Sequence, residues 1–258
     1  MTRSANWATI TALITRARNE ILRVPGAAIP GVLAPTIFFL GLNGVFGNLV
    51  ELRGFSADNY LSFIVPVSML QGAGFTGAAT GVNLARDIEQ GWFDRLMASP
   101  APRWAILAGM AISASARALI PAALVLIVAL ALGASFPGAA GLLIAAVLVM
   151  GMAAVAAFWG MMLALRYRSQ AAAPLMQSGM FLLVLLTPAY APIDLLQGWL
   201  QKIASINPVT KVLDAIRQGF LGGVTWSDTW PGLLAIAVLL LVLGAAALRG
   251  MNRFSARA

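Results

Sequence analysis

Five stretches of the chain contain no Asp, Glu, Lys or Arg: residues 24–50, 59–85, 118–165, 169–193 and 229–248. The shortest is 20 residues long and the longest 48. A helix needs about 20 residues to cross a hydrocarbon core of about 30 Å, so four runs predict one span each. The 48-residue run predicts two, separated where Phe136-Pro137-Gly138 breaks the helix. The expected spans are 28–48, 60–83, 108–133, 138–165, 171–190 and 230–249. The runs are continuous and not alternating, which excludes a strand barrel. Only 10% of the residues are charged, against about 25% in a soluble domain, so a water-facing globule lacks its polar coat. The fold class expected is an all-α membrane protein with six transmembrane helices.

The net charge of +8 would suggest nucleic acid in a soluble protein, but its placement argues otherwise. Twelve of the 17 basic residues fall before span one, between spans two and three, between four and five, and after six. The positive-inside rule then predicts both termini in the cytoplasm, and nucleic acid is not an expected partner. Cysteine and histidine are both absent. That excludes a disulfide framework, thiolate or imidazole metal sites and a His-based triad.

Three segments outside the spans have apolar faces. In residues 4–24, Trp7, Ile10, Ile14, Ala17 and Ile21 recur at helical spacing, which predicts an amphipathic helix on the inner leaflet, ended by Pro25-Gly26. It serves as a membrane anchor, or also as a contact for a cytoplasmic partner. In 86–99, Ile88, Trp92 and Leu96 follow at four-residue intervals beside Phe93 and Met97. A short helix is predicted there, stopped by Ser99-Pro100, with an apolar face for lipid headgroups or a protein groove. In 192–222 two short helices are predicted either side of Asn207-Pro208: Leu195, Leu196, Trp199, Leu200 and Ile203 on one, Val212, Leu213, Ile216 and Phe220 on the other. Such a hairpin caps the outer mouth of a pathway or packs structurally.

The loop residues Glu89-x-Gly91, Leu96, Ser99-Pro100, Arg103, Ile106 and Gly109 resemble the permease subunits of ABC-2 type exporters. So do Thr187-Pro188, Trp199-Leu200, Asn207-Pro208-x-Thr210, Asp214-Ala215-x-Arg217 and Gly222. That family includes daunorubicin-resistance-like drug efflux permeases and polysaccharide exporters. Trp92 stands where the family usually has a small hydroxyl residue. The resemblance implies one transmembrane domain over 1–258, a bacterial inner-membrane location, a second permease copy and separate cytoplasmic ABC ATPase subunits. ATP and Mg would belong to those subunits; no cofactor is expected on this chain, which has no G-x-x-x-x-G-K-[ST]. It assigns ATPase coupling to Glu89, Gly91, Trp92, Phe93, Leu96, Ser99 and Pro100, with Trp92, Phe93 and Leu96 as anchors and Glu89, Asp94 and Arg95 as rim. It assigns the external gate to Pro188, Trp199, Asn207, Pro208, Asp214 and Arg217.

Inside the spans, Asn43, Gln71, Arg117 and Gln177 are candidate pathway residues. For the three amides, interhelical hydrogen bonds are the first-ranked use and a pathway lining the second. Arg117 either snorkels to the inner interface or makes a polar contact within the bundle. Ala73, Gly77 and Gly81 form a small-residue stripe, read first as packing within one protomer and second as a dimer seam. Pro30, Pro35, Pro121 and Pro174 are expected kinks. The function expected is a permease subunit for a lipophilic or amphiphilic substrate, not itself an enzyme. A permease for lipid-linked polysaccharide is the alternative. A proton-coupled transporter ranks lower, because no acidic residue or histidine lies within an expected span.

Overall fold

A computed structural model describes residues 11, 12, 15, 25–48 and 59–255. The amphipathic helix expected over 4–24 falls almost wholly outside them. The described chain is helical and has no strand. Its elements are α1 (Pro25–Phe46), α2 (Tyr60–Glu89), α3 (Trp92–Met97), α4 (Arg103–Ala131), α5 (Gly138–Tyr167), α6 (Ala173–Leu185), α7 (Gly198–Ile206), α8 (Pro208–Leu221) and α9 (Trp226–Ser255). Four of these, α2, α4, α5 and α9, are long and apolar enough to cross a membrane.

The order of burial among the long helices inverts the rule for water-soluble proteins. In α2, 89% of the most apolar 18-residue window is buried, against 17% in α9. Yet α2 is the less apolar of the two, carrying Ser62, Ser68, Gln71, Thr76 and Thr80 among its small residues. A bundle in lipid gains nothing by hiding Leu from Leu-like tails, so its centre goes to small and hydrogen-bonding residues and its wall to the most apolar ones. The wall of α9 exposes Leu234, Val238, Leu241 and Val242.

The α2–α5 crossing fixes the core. A Cβ at Gly77 would collide with the Ala153 carbonyl and Ala156 Cβ, and one at Gly81 with the backbone of Gly160. The small-residue stripe therefore serves close packing within one protomer, which was the first of its two expected uses. The turn expected at 133–138 is present: α4 ends at Ala131, capped by Leu132, and Gly133 and Gly138 take positive φ angles of 95° and 71°. Asn59 Nδ2 donates to Gly133 O at 3.0 Å, and Ser135 N donates to Ser62 Oγ at 2.8 Å, pinning this turn to the start of α2.

Several boundaries depart from expectation. The helix expected over 86–99 is two pieces: α2 runs on to Glu89, and Gly91 at φ +70° redirects the chain into α3. Asp87 lies inside α2. Pro174 sits in the first turn of α6 and does not kink it. The helix within 171–190 has only 13 residues, about 20 Å at 1.5 Å per residue, because the Thr187-Pro188 turn ends it. Leu195 and Leu196 precede α7, with Leu195 in a 3-10 turn over 193–195, so they do not extend its face.

Candidate functional site

The two ends of the bundle each hold a polar knot built from segments distant in sequence. At the hairpin end, proline at 208 forces a break and favours a new helix start, and Asn207 supplies the cap. Its Oδ1 accepts from Val209 N at 2.9 Å. Its Nδ2 donates to Leu183 O at 2.8 Å and Leu186 O at 3.0 Å. One buried side chain thus satisfies the end of α6 and the beginning of α8 together. Thr187 Oγ1 donates to Val184 O at 2.6 Å, closing the same helix end.

Arg217 is buried beside this joint. Its Nε donates to Phe63 O at 3.2 Å, and one terminal nitrogen donates to Pro188 O at 2.9 Å and Ala189 O at 3.2 Å. The guanidinium carbon lies 3.8 Å from the Phe63 ring centroid, a cation–π contact. Asp214 stands 4.0 Å away with its side chain 46% exposed, at the outer limit of an ion pair. Burial pulls Arg217 down to about 10, still high enough for it to remain charged at neutral pH. The expected gate residues Pro188, Asn207, Pro208, Asp214 and Arg217 therefore converge on the α6–α8 joint. Trp199 does not: it is 61% exposed, and its Nε1 donates to Gln197 Oε1 within its own segment.

Tyr190 and Tyr60 belong to this knot and were not singled out from sequence. Tyr60 Oη donates to Tyr190 O at 3.1 Å, and Gln71 Nε2 donates to Tyr190 Oη at 2.7 Å. Gln71 thus ties α2 to the non-helical stretch after α6, and not to another helix. A signal did exist: Tyr190 lies in an almost wholly apolar run, where a phenol needs a partner.

At the opposite end, Glu89 closes α2 onto the α5–α6 connection. Its Oε1 accepts from Ser169 Oγ at 2.7 Å and Gln170 N at 2.9 Å, and its Oε2 accepts from Gln170 Nε2 at 2.6 Å. The Gln170 and Ser169 side chains, then the Gln170 amide, hold its carboxyl below the usual glutamate range. Phe93 on α3 is buried, in edge contact with Phe254 of α9 at 5.1 Å between centroids. Ser99 Oγ donates to Leu96 O at 2.6 Å at the end of α3, ahead of Pro100. Of the residues assigned to coupling, Glu89 and Phe93 are thus engaged within the chain. Trp92 and Leu96 are half-buried, while Asp94 and Arg95 are exposed.

Between the two ends, Arg117 donates to Thr80 Oγ1 at 2.8 Å across α4 and α2, a polar contact within the bundle. Asn43 and Gln177 are half-buried on α1 and α6 and belong to neither knot. No group of three or more acidic residues, histidines or cysteines that could hold a metal occurs among the described residues.

The model of the ABC-2 type transporter family matches residues 8–221. The chain belongs to that family. Its similarity to two curated relatives agrees with that membership. Over 196 residues it is 28% identical to the Probable multidrug ABC transporter permease YbhR of Escherichia coli K12, a match covering 73% of this chain and 52% of YbhR. Over 255 residues it is 27% identical to the Daunorubicin resistance ABC transporter permease protein DrrB1 of Streptomyces coeruleorubidus, covering 96% of this chain and 88% of that one. The chain thus spans about half the length of YbhR and most of DrrB1. An ABC-2 type transporter with several membrane-length helices is a multi-pass membrane protein.

Proposed function

We propose that this ABC-2 type chain is the permease subunit of an exporter for a lipophilic or amphiphilic substrate, paired with a second permease copy and powered by separate cytoplasmic ATPase subunits. The family match over 8–221 carries the reading. Six crossings, with both termini cytoplasmic, complete it. The four long helices supply four of these, and α1 with the 170–190 segment supplies the others. An overwhelmingly apolar bundle, without a ring of like charges along its described helices, suits an apolar cargo better than an ion.

Coupling is assigned to the turn around α3. Phe93 holds α3 against α9, which leaves Trp92, Asp94 and Arg95 with accessible surface and Leu96 half-covered. Six-residue α3 is tethered between the ends of α2 and α4. A partner that pushed on it would therefore act on both long helices at once.

The test uses the full-length chain co-expressed with its ATPase. Efflux should be abolished by vanadate and survive an uncoupler; the reverse pattern rejects an ATP-driven exporter. Replacing Trp92 and Leu96 together by Ala should lower ATPase pull-down and efflux about tenfold or more, as expected for interface anchors, with membrane insertion intact. Association equal to wild type rejects the docking surface.

A further inference from the structure

At the α3 end of the bundle a cleft of about 900 Å³ opens between the last turns of α5, the start of α6 and the last turns of α9. That volume falls at the upper end of small-molecule sites, about 300–1,000 Å³. Four arginines line it: Arg166 and Arg168 from the end of α5, Arg249 and Arg253 from α9. Trp159, Leu163 and Leu175 supply an apolar wall on the side that leads toward the bundle's middle. Among the described residues, no carboxylate lines it. Glu89, the acidic residue fastened to the adjoining 169–170 turn, is occupied by three hydrogen bonds there.

The cleft is held open by its own chemistry. Arg168 is the only non-glycine residue with positive φ among the described residues, at 55°. A left-handed residue of this kind persists only when its surroundings fix it. Here its guanidinium lies 4.3 Å from the Phe254 ring centroid, and Phe254 is in turn buried against Phe93. Four cations with no acidic partner in the cleft among the described residues repel one another, a cost that an anion removes. The combination of a basic mouth and an apolar wall also discriminates. Inorganic phosphate satisfies only the mouth, and a zwitterionic lipid brings an ammonium cation into the basic mouth together with its phosphate. The ligand that meets both is an anionic phospholipid, with its phosphate among the arginines and its chains along Trp159 and Leu175.

We infer that the cleft between α5, α6 and α9 is a binding site for one anionic phospholipid. The inference rests on the bundle spanning a membrane, not on the chain exporting anything. Its test accordingly needs neither transport nor an ATPase.

The full-length chain in nanodiscs of zwitterionic phosphatidylcholine is titrated with fluorescent phosphatidylglycerol. Saturable binding is expected. The triple variant Arg166→Gln, Arg249→Gln, Arg253→Gln should bind on the order of a hundredfold more weakly. Arg86→Gln, an exposed arginine outside the cleft, should bind as wild type. The triple lysine variant, which keeps the charge, should retain most of the affinity and shows that folding is not the cause. Equal binding by the glutamine variant overturns the site. So does competition by millimolar inorganic phosphate as effective as that by lipid, which would make it a free-anion site. Equal uptake of fluorescent phosphatidylcholine overturns it as well.

Discussion

Arg217 joins three parts of the chain with one side chain, accepting no substitute of simpler chemistry. Its donors satisfy carbonyls at Phe63, Pro188 and Ala189, and two of these lie in a turn that no helical hydrogen bond serves. Arg217→Ala leaves buried acceptors unpaired and should lower stability by about 2 kcal/mol, a value held down because bonds within membrane bundles are individually modest. Thermal unfolding of the purified chain in detergent measures it; a shift indistinguishable from that of exposed Lys202→Ala would show that the knot contributes nothing. Glu89 gives a pH-dependent counterpart. Its carboxyl is held below the usual range by Gln170 and Ser169, so it binds its proton less readily folded than unfolded. Its contribution is complete above the ordinary glutamate value, about 4.3, and is lost as pH falls through the lower folded value. The stability difference between wild type and Glu89→Gln should therefore be present at pH 7 and shrink below about pH 4. A difference constant across that range removes the carboxylate from the account. The centre of the hairpin-end knot was legible in sequence, since Asn207-Pro208 announces a capped break and a lone arginine in an apolar hairpin demands acceptors. Several of the partners in the two knots were not, because Phe63, Ala189 and Ser169 contribute through backbone or short side chains that leave no periodic trace.

Among the elements, continuous charge-free runs located α1, α2, α4, α5 and α9 within a few residues, because a helix in lipid has few alternatives. The same reasoning failed at α3. The four-residue apolar spacing of Ile88, Trp92 and Leu96 runs through Gly91, and periodicity alone does not register that Gly91 adopts φ +70°. What Gly91 changes is direction: it turns Phe93 inward onto Phe254 and leaves Asp94 and Arg95 outward. Gly91→Ala would force a side chain into the left-handed region, costing about 1–2 kcal/mol. Nothing lies within 4 Å of its Cβ position, so that cost is conformational and not steric. The α2–α5 crossing gives the opposite case. Gly81→Leu must push apart two backbones in contact at Gly160 and should cost upwards of about 3 kcal/mol, at the high end for overpacking. Gly41→Leu on α1, with open space around it, should be near neutral in the same unfolding assay. If both variants unfold alike, the close crossing of α2 and α5 does not hold the bundle.

For the molecule as a whole, the question is which water phase each polar knot meets. Basic residues concentrate at the α3 end: Arg86, Arg95, Arg103, Arg166, Arg168, Arg249 and Arg253. The hairpin end has Lys202, Lys211 and buried Arg217, offset by Asp194, Asp214 and Asp228. In the orientation proposed above from the positive-inside rule, the first end would face the cytoplasm and the hairpin the outside. The 13 residues of α6 reach about 20 Å, short of a hydrocarbon core of about 30 Å. The joint closed by Asn207 and Arg217 would then lie below the outer surface, where its turn carbonyls have no water and need those two side chains. The absence of native cysteine makes this directly measurable, since each introduced thiol is the only one. In intact cells a membrane-impermeant maleimide should label Gln197→Cys and Ser227→Cys. Asp94→Cys and Asn252→Cys should react only after the membrane is opened. Thr187→Cys, buried in the joint, should resist labelling from either side until the protein is unfolded. Labelling of the hairpin and α3 positions from the same side would require an even number of crossings between them, not the three proposed. That result would remove the outward hairpin and the cytoplasmic docking surface together, because α4, α5 and α6 could no longer carry the chain from one face to the other in the order proposed.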